Sequence, residues 1–168
     1  MKNRDDALLR KIIEYCDEAD SAIAMFGDDI EIFSNNVIYR NACCMPVLQI
    51  GELCKLVSDE LRNDNNQVDW RGWCGIRDIF AHQYTNLDYK KTWTVLRADL
   101  PKMKNHCKAI LKAIDDMNLV RINEIIMSNN ISDANAQIVY DKIIANTGVS
   151  LNAFSDEQLK DFILSMKE

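Results

Sequence analysis

The segment Trp70-Arg71-Gly72-Trp73-Cys74-Gly75-Ile76-Arg77-Asp78-Ile79-Phe80-Ala81-His82-Gln83-Tyr84 sets Arg77, His82 and Tyr84 close together in the chain. These residue types suit phosphoryl transfer. A guanidinium offers a fixed fork of donors to a phosphate. An imidazole takes and returns a proton near neutral pH. A phenol donates to an oxygen, attacks as a nucleophile or accepts a modification. Spacing alone leaves a plainer alternative open, in which His82 is a structural histidine satisfied among aromatic neighbours. Asp78 also has two roles open to it. It either orients His82 and favours the imidazolium, or stabilises a helix N-terminus as a first-turn carboxylate.

Helical geometry constrains the set. At about 100° per residue, positions 77 and 82 lie about 140° apart, whereas 77 and 84 lie nearly in line. One regular helix does not aim Arg77 and His82 at the same atom. Either the helix is distorted, or a second copy of the segment supplies the missing group, as a symmetric dimer would.

The elements that position these residues read as helices, because the chain has few breakers (five Gly and two Pro) and its apolar residues recur at three- and four-residue steps. A first helix is expected over Asp5–Phe26, ended by Gly27-Asp28-Asp29. A second long stretch, Ser34–Arg62, contains Pro46, which should kink or split it. A short helix over Trp70–Tyr84 carries the candidate site. Asp88 then caps a third long helix, with Trp93, Leu96, Leu100, Met103, Cys107, Ile110 and Ile114 along one stripe and Pro101 bending it. From Asn118 the character changes. Three short helices are expected at about Val120–Ser128, Asp133–Asn146 (Ser132 as cap) and Asp156–Lys167 (Ser155 as cap), with Gly148 after the middle one. The predicted architecture is all-α: an up-and-down bundle of about four helices over residues 1–117, then a small helical C-terminal extension over 118–168 with no assigned role.

Composition bounds the function. Apolar residues make up 48% of the 168, enough for a core. The net charge of −6 argues against a generic nucleic-acid coat protein. The charge is uneven, however: net −7 over residues 1–70, +6 over 71–112 and −5 over 113–168. Arg71 precedes the candidate site, and Lys90, Arg97, Lys104, Lys108 and Lys112 fall within about 80° of arc on the third long helix. Arg71, Lys90, Arg97, Lys104 and Lys108 are candidates to contact an RNA backbone; a plain solvated face is the alternative. The six cysteines form no C-x-x-C pair, and most fall on apolar helix faces, so neither a disulfide framework nor a zinc site is expected. No metal or cofactor is implied. No apolar run approaches a membrane span, and the charged N-terminus lacks a signal-peptide core, so a cytoplasmic protein is expected.

Arg77, His82 and Tyr84, as Arg-x4-His-x-Tyr, resemble the signature of HepT-like proteins, a minimal branch of the HEPN superfamily. Gly51-Glu52, Trp70-Arg71, Leu87-Asp88, Trp93 and Asp99-Leu100-Pro101 stand in similar places and order, so the resemblance covers about residues 5–115. It implies a HEPN-like bundle that dimerises with the motif in a cleft between protomers. It also implies metal-independent RNA cleavage, with His82 as general acid/base and Arg77 stabilising charge on the phosphate. Such proteins are toxins, and an MntA-like minimal nucleotidyltransferase antitoxin uses ATP to adenylylate the motif tyrosine, here Tyr84. The added AMP would place bulk and negative charge beside Arg77. A non-catalytic helical partner of a nucleotidyltransferase is the alternative, and a structural or regulatory dimer without nucleotide chemistry is a third.

Overall fold

A computed structural model of the chain describes residues 5–82, 88–131, 134–147 and 151–166, with the side chains at 78, 80–82, 147 and 152 left aside. Among these residues the regular structure is entirely helical, as expected. In chain order the α-helices are α1 (Asp5–Phe26), α2 (Ile30–Asn35), α3 (Val37–Leu56), α4 (Asp59–Asp64), α5 (Trp70–His82), α6 (Tyr89–Thr94), α7 (Leu100–Ser128), α8 (Ala136–Thr147) and α9 (Asp156–Ser165).

The chain divides into two compact units, Ala7–Ala109 and a second formed by Met1–Asp6 with Ile110–Glu168. In the first, α1 buries Leu9, Ile12, Cys16, Ala19 and Ile23, one apolar stripe at helical spacing. It ends where Gly27 adopts φ +103°, a conformation open to glycine, while its N–H donates to the Ile23 carbonyl. The residues that α3 buries include Tyr39, Cys43, Val47, Ile50 and Cys54, and the later segments add Leu96, Leu100, Met103 and Cys107. Each such aliphatic side chain contributes about 1.5–3 kcal/mol on burial. Tyr39 ties one end together: it stacks on Phe26 with centroids 4.9 Å apart, meets Phe33 edge-on and donates its hydroxyl to the Gly27 carbonyl.

Two expectations over this unit are corrected. The single stretch Ser34–Arg62 is three helices, α2, α3 and α4. Asn36 breaks it first, because its side-chain oxygen accepts from the Ile38 and Tyr39 N–H groups and so starts α3. Ser58 breaks it again by accepting from Leu61 N–H to start α4. Pro46, by contrast, lies within α3, which runs through it. The second correction concerns the helix after Asp88. Asp88 does cap it, accepting from Lys90 and Lys91 N–H. Between α6 and α7, however, Val95–Asp99 is a π-helical turn, in which Leu100 N–H reaches the Val95 carbonyl. Pro101 has no N–H to give and its ring crowds the preceding turn, so one extra residue in that turn accommodates it.

The second unit has its own core, Ile122, Ile125, Ile126, Ile131, Val139, Ile143, Leu151, Leu159 and Ile163. The helix expected separately at Val120–Ser128 is the continuation of α7, with no break at Asn118. For α8, the Asn135 side chain accepts from Gln137 and Ile138 N–H; Ser132 and Gly148 lie outside the described residues. Ser155 caps α9 as expected, in a reciprocal box with Gln158. Arg121 anchors this end, pairing with Asp156 and donating to the Phe154 carbonyl.

Candidate functional site

The helix that carries the candidate residues is fixed at its start. Asp69 accepts from Gly72 N–H at 2.9 Å, and the Trp70 indole N–H donates to the Asn65 carbonyl at 3.1 Å. Trp70 and Trp73 are both buried. The helix is therefore held by caps and by two large side chains, and it packs along α3.

The packing is closest at Gly51. A Cβ built there would lie 2.6 Å from the Arg77 Cβ and 2.8 Å from the Trp73 carbonyl oxygen. Only a residue without a side chain lets the two backbones approach this closely. The crossing fixes where Arg77 leaves α5. The next residue of α3, Glu52, then meets the guanidinium: its Oε1 forms an ion pair with Arg77 Nε. The two contacting atoms are shut off from solvent, although the side chains as wholes keep 31% (Arg77) and 39% (Glu52) of their exposure. Lys55, one turn on, lies 3.8 Å from the same carboxylate oxygen. Arg77 thus keeps part of its side-chain exposure while its Nε edge is held by a carboxylate.

α5 is unbroken α-helix through His82, so the divergence of about 140° between positions 77 and 82 applies to its backbone. The side chains of Asp78 and His82 and all of Tyr84 lie outside the described residues.

The basic candidates fall into two groups. Arg97 pairs with Asp28 at 2.6 Å, and Lys104 lies 2.6 Å from both Asp17 and Asp20. Lys104 keeps only 19% of its side-chain exposure. Hydrogen bonds to Asp17 and then Asp20 hold its ammonium well above the usual lysine pKa. Much of the charge on these two residues is answered within the fold. Arg71, Lys90 and Lys108 are exposed.

In the sequence Glu52 stands out only as part of the Gly51-Glu52 pair of the HepT-like resemblance. Nothing local marks it as a partner of Arg77, which follows 25 positions later. One signal was available: Ile38, Ala42, Met45, Gln49, Glu52 and Leu56 fall within about 80° of arc on α3. Of these, Ile38, Met45 and Leu56 are exposed and Glu52 is the one charged residue on a mainly apolar stripe that also carries Gln49.

No disulfide joins the six cysteines. Burial pushes the thiols of Cys16, Cys43, Cys44 and Cys107 up to about 12, and that of Cys54 further in the same direction. Protonated thiols make poor metal ligands and poor nucleophiles. Among the described residues no group of three or more His, Cys, Asp or Glu is placed to hold a metal ion, and no helix is long and apolar enough to cross a membrane.

A family model described as Ribonuclease HepT-like matches residues 12–110, more than half of the chain. The chain belongs to this family. The HepT-like region takes in Gly51, Glu52 and the whole of α5, and it leaves residues 111–168 outside. Among curated relatives, the chain is 29% identical to a protein of Methanocaldococcus jannaschii named "Putative RNase MJ1380", over 66% of this chain and 100% of the relative. A second from that organism, "Putative RNase MJ1216", is 30% identical over 68% of this chain and 94% of its own length. A protein of Thermococcus cleftensis named "Probable ribonuclease HepT" is 22% identical over 59% of this chain and 94% of the relative. No solved structure matches the HepT-like chain.

Proposed function

We propose that this chain is a metal-independent endoribonuclease toxin whose activity is switched off by adenylylation of Tyr84. The observation that carries the reading is the placement of Arg77: a guanidinium fixed at a helix crossing, partly exposed, within a family of ribonucleases. Arg77 stabilises the charge that builds on the phosphate as the RNA 2′-hydroxyl attacks it. His82 removes the 2′-hydroxyl proton, and a proton is delivered to the departing 5′-oxygen, leaving a 2′,3′-cyclic phosphate and a 5′-hydroxyl. Asp78 supports the imidazolium. No metal is needed, because the arginine and the imidazole supply the charge and the proton transfers. Exposed Arg71, Lys90 and Lys108 are the better-placed backbone contacts, with Arg97 and Lys104 contributing less because carboxylates already hold them.

The functional unit is a homodimer. Two features support this: the divergence of positions 77 and 82 on one helix, and the exposed apolar side chains Ile38, Met45 and Leu56 on α3 and Ile79 on α5, the two helices that carry Glu52 and Arg77. The regulator is an MntA-like nucleotidyltransferase, in which the Tyr84 phenol oxygen attacks the α-phosphate of ATP and releases pyrophosphate. Both partners act in the cytoplasm, where RNA and ATP are available. The catalytic bundle assigned to residues 1–117 has the compact unit Ala7–Ala109 as its body, and 118–168 is an extension outside this chemistry.

The test is incubation of the purified chain with tRNA and mRNA in EDTA, beside the His82→Ala protein, with Tyr84 shown by mass spectrometry to be unmodified. Cleavage by the native chain alone is expected. Equal cleavage by the variant removes His82 from the mechanism. Silence from both folded proteins, with tight co-purification of a nucleotidyltransferase, leaves the non-catalytic partner in its place.

A further inference from the structure

We infer that Glu52 is a positioning residue for Arg77, holding the guanidinium in the orientation that meets the scissile phosphate; this rests on the ribonuclease reading above. A lone arginine on a helix surface samples many rotamers, and each must be frozen when the phosphate arrives. Here both ends of the side chain are fixed beforehand. The Gly51 crossing fixes the Cα and Cβ, since the α3 backbone lies within a Cβ's reach of them. Glu52 fixes the far end through Nε. A guanidinium is a planar fork of donors, so a carboxylate at Nε sets the plane in which the rest of the group lies. The contact is also shielded: Arg77 Nε and Glu52 Oε1 are both closed to water, so the pair is less screened than an exposed one.

The arrangement has a cost, which gives the inference its signature. Glu52 partly cancels the positive charge that RNA would feel. Removing it leaves a looser but more cationic Arg77. Ground-state attraction for RNA is kept or increased, while the geometry needed in the transition state is lost. Glu52→Ala is therefore expected to lower kcat by roughly 10- to 100-fold, the range typical of losing a supporting residue, with KM unchanged or lower. Glu52→Gln keeps an acceptor oxygen of the same reach, so it recovers part of the lost kcat.

The experiment measures kcat and KM on one RNA oligonucleotide for the native chain, Glu52→Ala and Glu52→Gln. It also records the Arg77 Nε–H signal in ¹⁵N–¹H NMR spectra and the melting temperature of each protein. A sharp Arg77 signal in the native chain that is broadened or lost in Glu52→Ala, together with the kcat-selective fall and partial rescue by Gln, supports the assignment. Unchanged kcat in a folded Glu52→Ala protein overturns it, and a rise in kcat shows instead that Glu52 masks the arginine. A fall in kcat that only tracks the melting temperature, with no rescue by Gln, reduces Glu52 to a packing role. If the native chain cleaves nothing, the ribonuclease reading fails. The NMR signal then still decides whether Glu52 holds Arg77.

Discussion

Gly51 on α3 lies directly against Arg77 on α5, so close that a Cβ at position 51 would come 2.6 Å from the Arg77 Cβ. The second close atom is the Trp73 carbonyl oxygen at 2.8 Å, part of the α5 backbone, which cannot swing aside as a flexible side chain would. The residue that bears the candidate catalytic charge is thus also the contact point of two packed helices.

Gly51→Ala should separate α3 from α5. Overpacking costs about 1–3 kcal/mol, and alanine's better helix propensity returns about 1 kcal/mol of that. A net loss of up to about 2 kcal/mol is expected in urea denaturation, with a larger proportional loss of RNA cleavage because Arg77 moves. A variant as stable as the native chain would show that the crossing is slack.

Lys104→Met should cost about 1 kcal/mol at neutral pH by leaving Asp17 and Asp20 without their shared cation. The sign of the pH dependence follows from the raised pKa. The lysine binds its proton more tightly when folded, so its contribution is fully present below the unfolded value of 10.5 and is lost as pH rises above that toward the folded pKa. The stability gap between native chain and variant should stay constant up to about pH 10 and narrow beyond it. A gap that instead widens with alkali would contradict the pairing.

The cysteines give a chemical read-out of the same folded state. Cys16, Cys43, Cys44, Cys54 and Cys107 are buried and only Cys74 is partly exposed. Native protein at pH 7 should react quickly with a thiol reagent at Cys74 at most, and at the other five only on unfolding. Their raised pKa values mean that the unfolded chain loses thiol protons first. Stability should therefore fall between about pH 9 and 12, and buried thiols should become reactive over the same window. Rapid labelling of two or more cysteines at neutral pH would refute this burial.

Ser155→Ala removes the hydrogen bond that the Ser155 hydroxyl accepts from Gln158 N–H at the start of α9, and keeps only the reciprocal one from the Ser155 backbone N–H to the Gln158 side chain. The loss should be about 1 kcal/mol, seen as faster amide exchange in α9, with RNA cleavage unchanged. A matching fall in cleavage would tie the C-terminal unit to the chemistry.

Local signals in the sequence suffice where a single residue decides the outcome. Asp5–Phe26 is one helix because its stripe is regular and Gly27 ends it. Asp88 and Ser155 cap because a short polar side chain reaches its own next N–H groups. The same kind of signal is hidden at Asn36 and Ser58, where apolar spacing continues across the caps. The break expected near Asn118 is absent because a rise in asparagine content does not itself end a helix, and α7 keeps its apolar positions through Ile122, Ile125 and Ile126.

The amino-acid sequence by itself determined the helical class, the triplet Arg77, His82 and Tyr84, and the resemblance that membership of the HepT-like family now bears out in the region 12–110. Periodicity, caps and motif spacing act within a few residues, so they can be read along the chain. Only the tertiary structure decided that Gly51 admits α5, that Glu52 holds Arg77, and that Lys104 serves two α1 carboxylates before any RNA. Those pairings join residues 25 to 87 positions apart. They depend on which helix faces pack together, and the pattern of a single helix does not specify its neighbour.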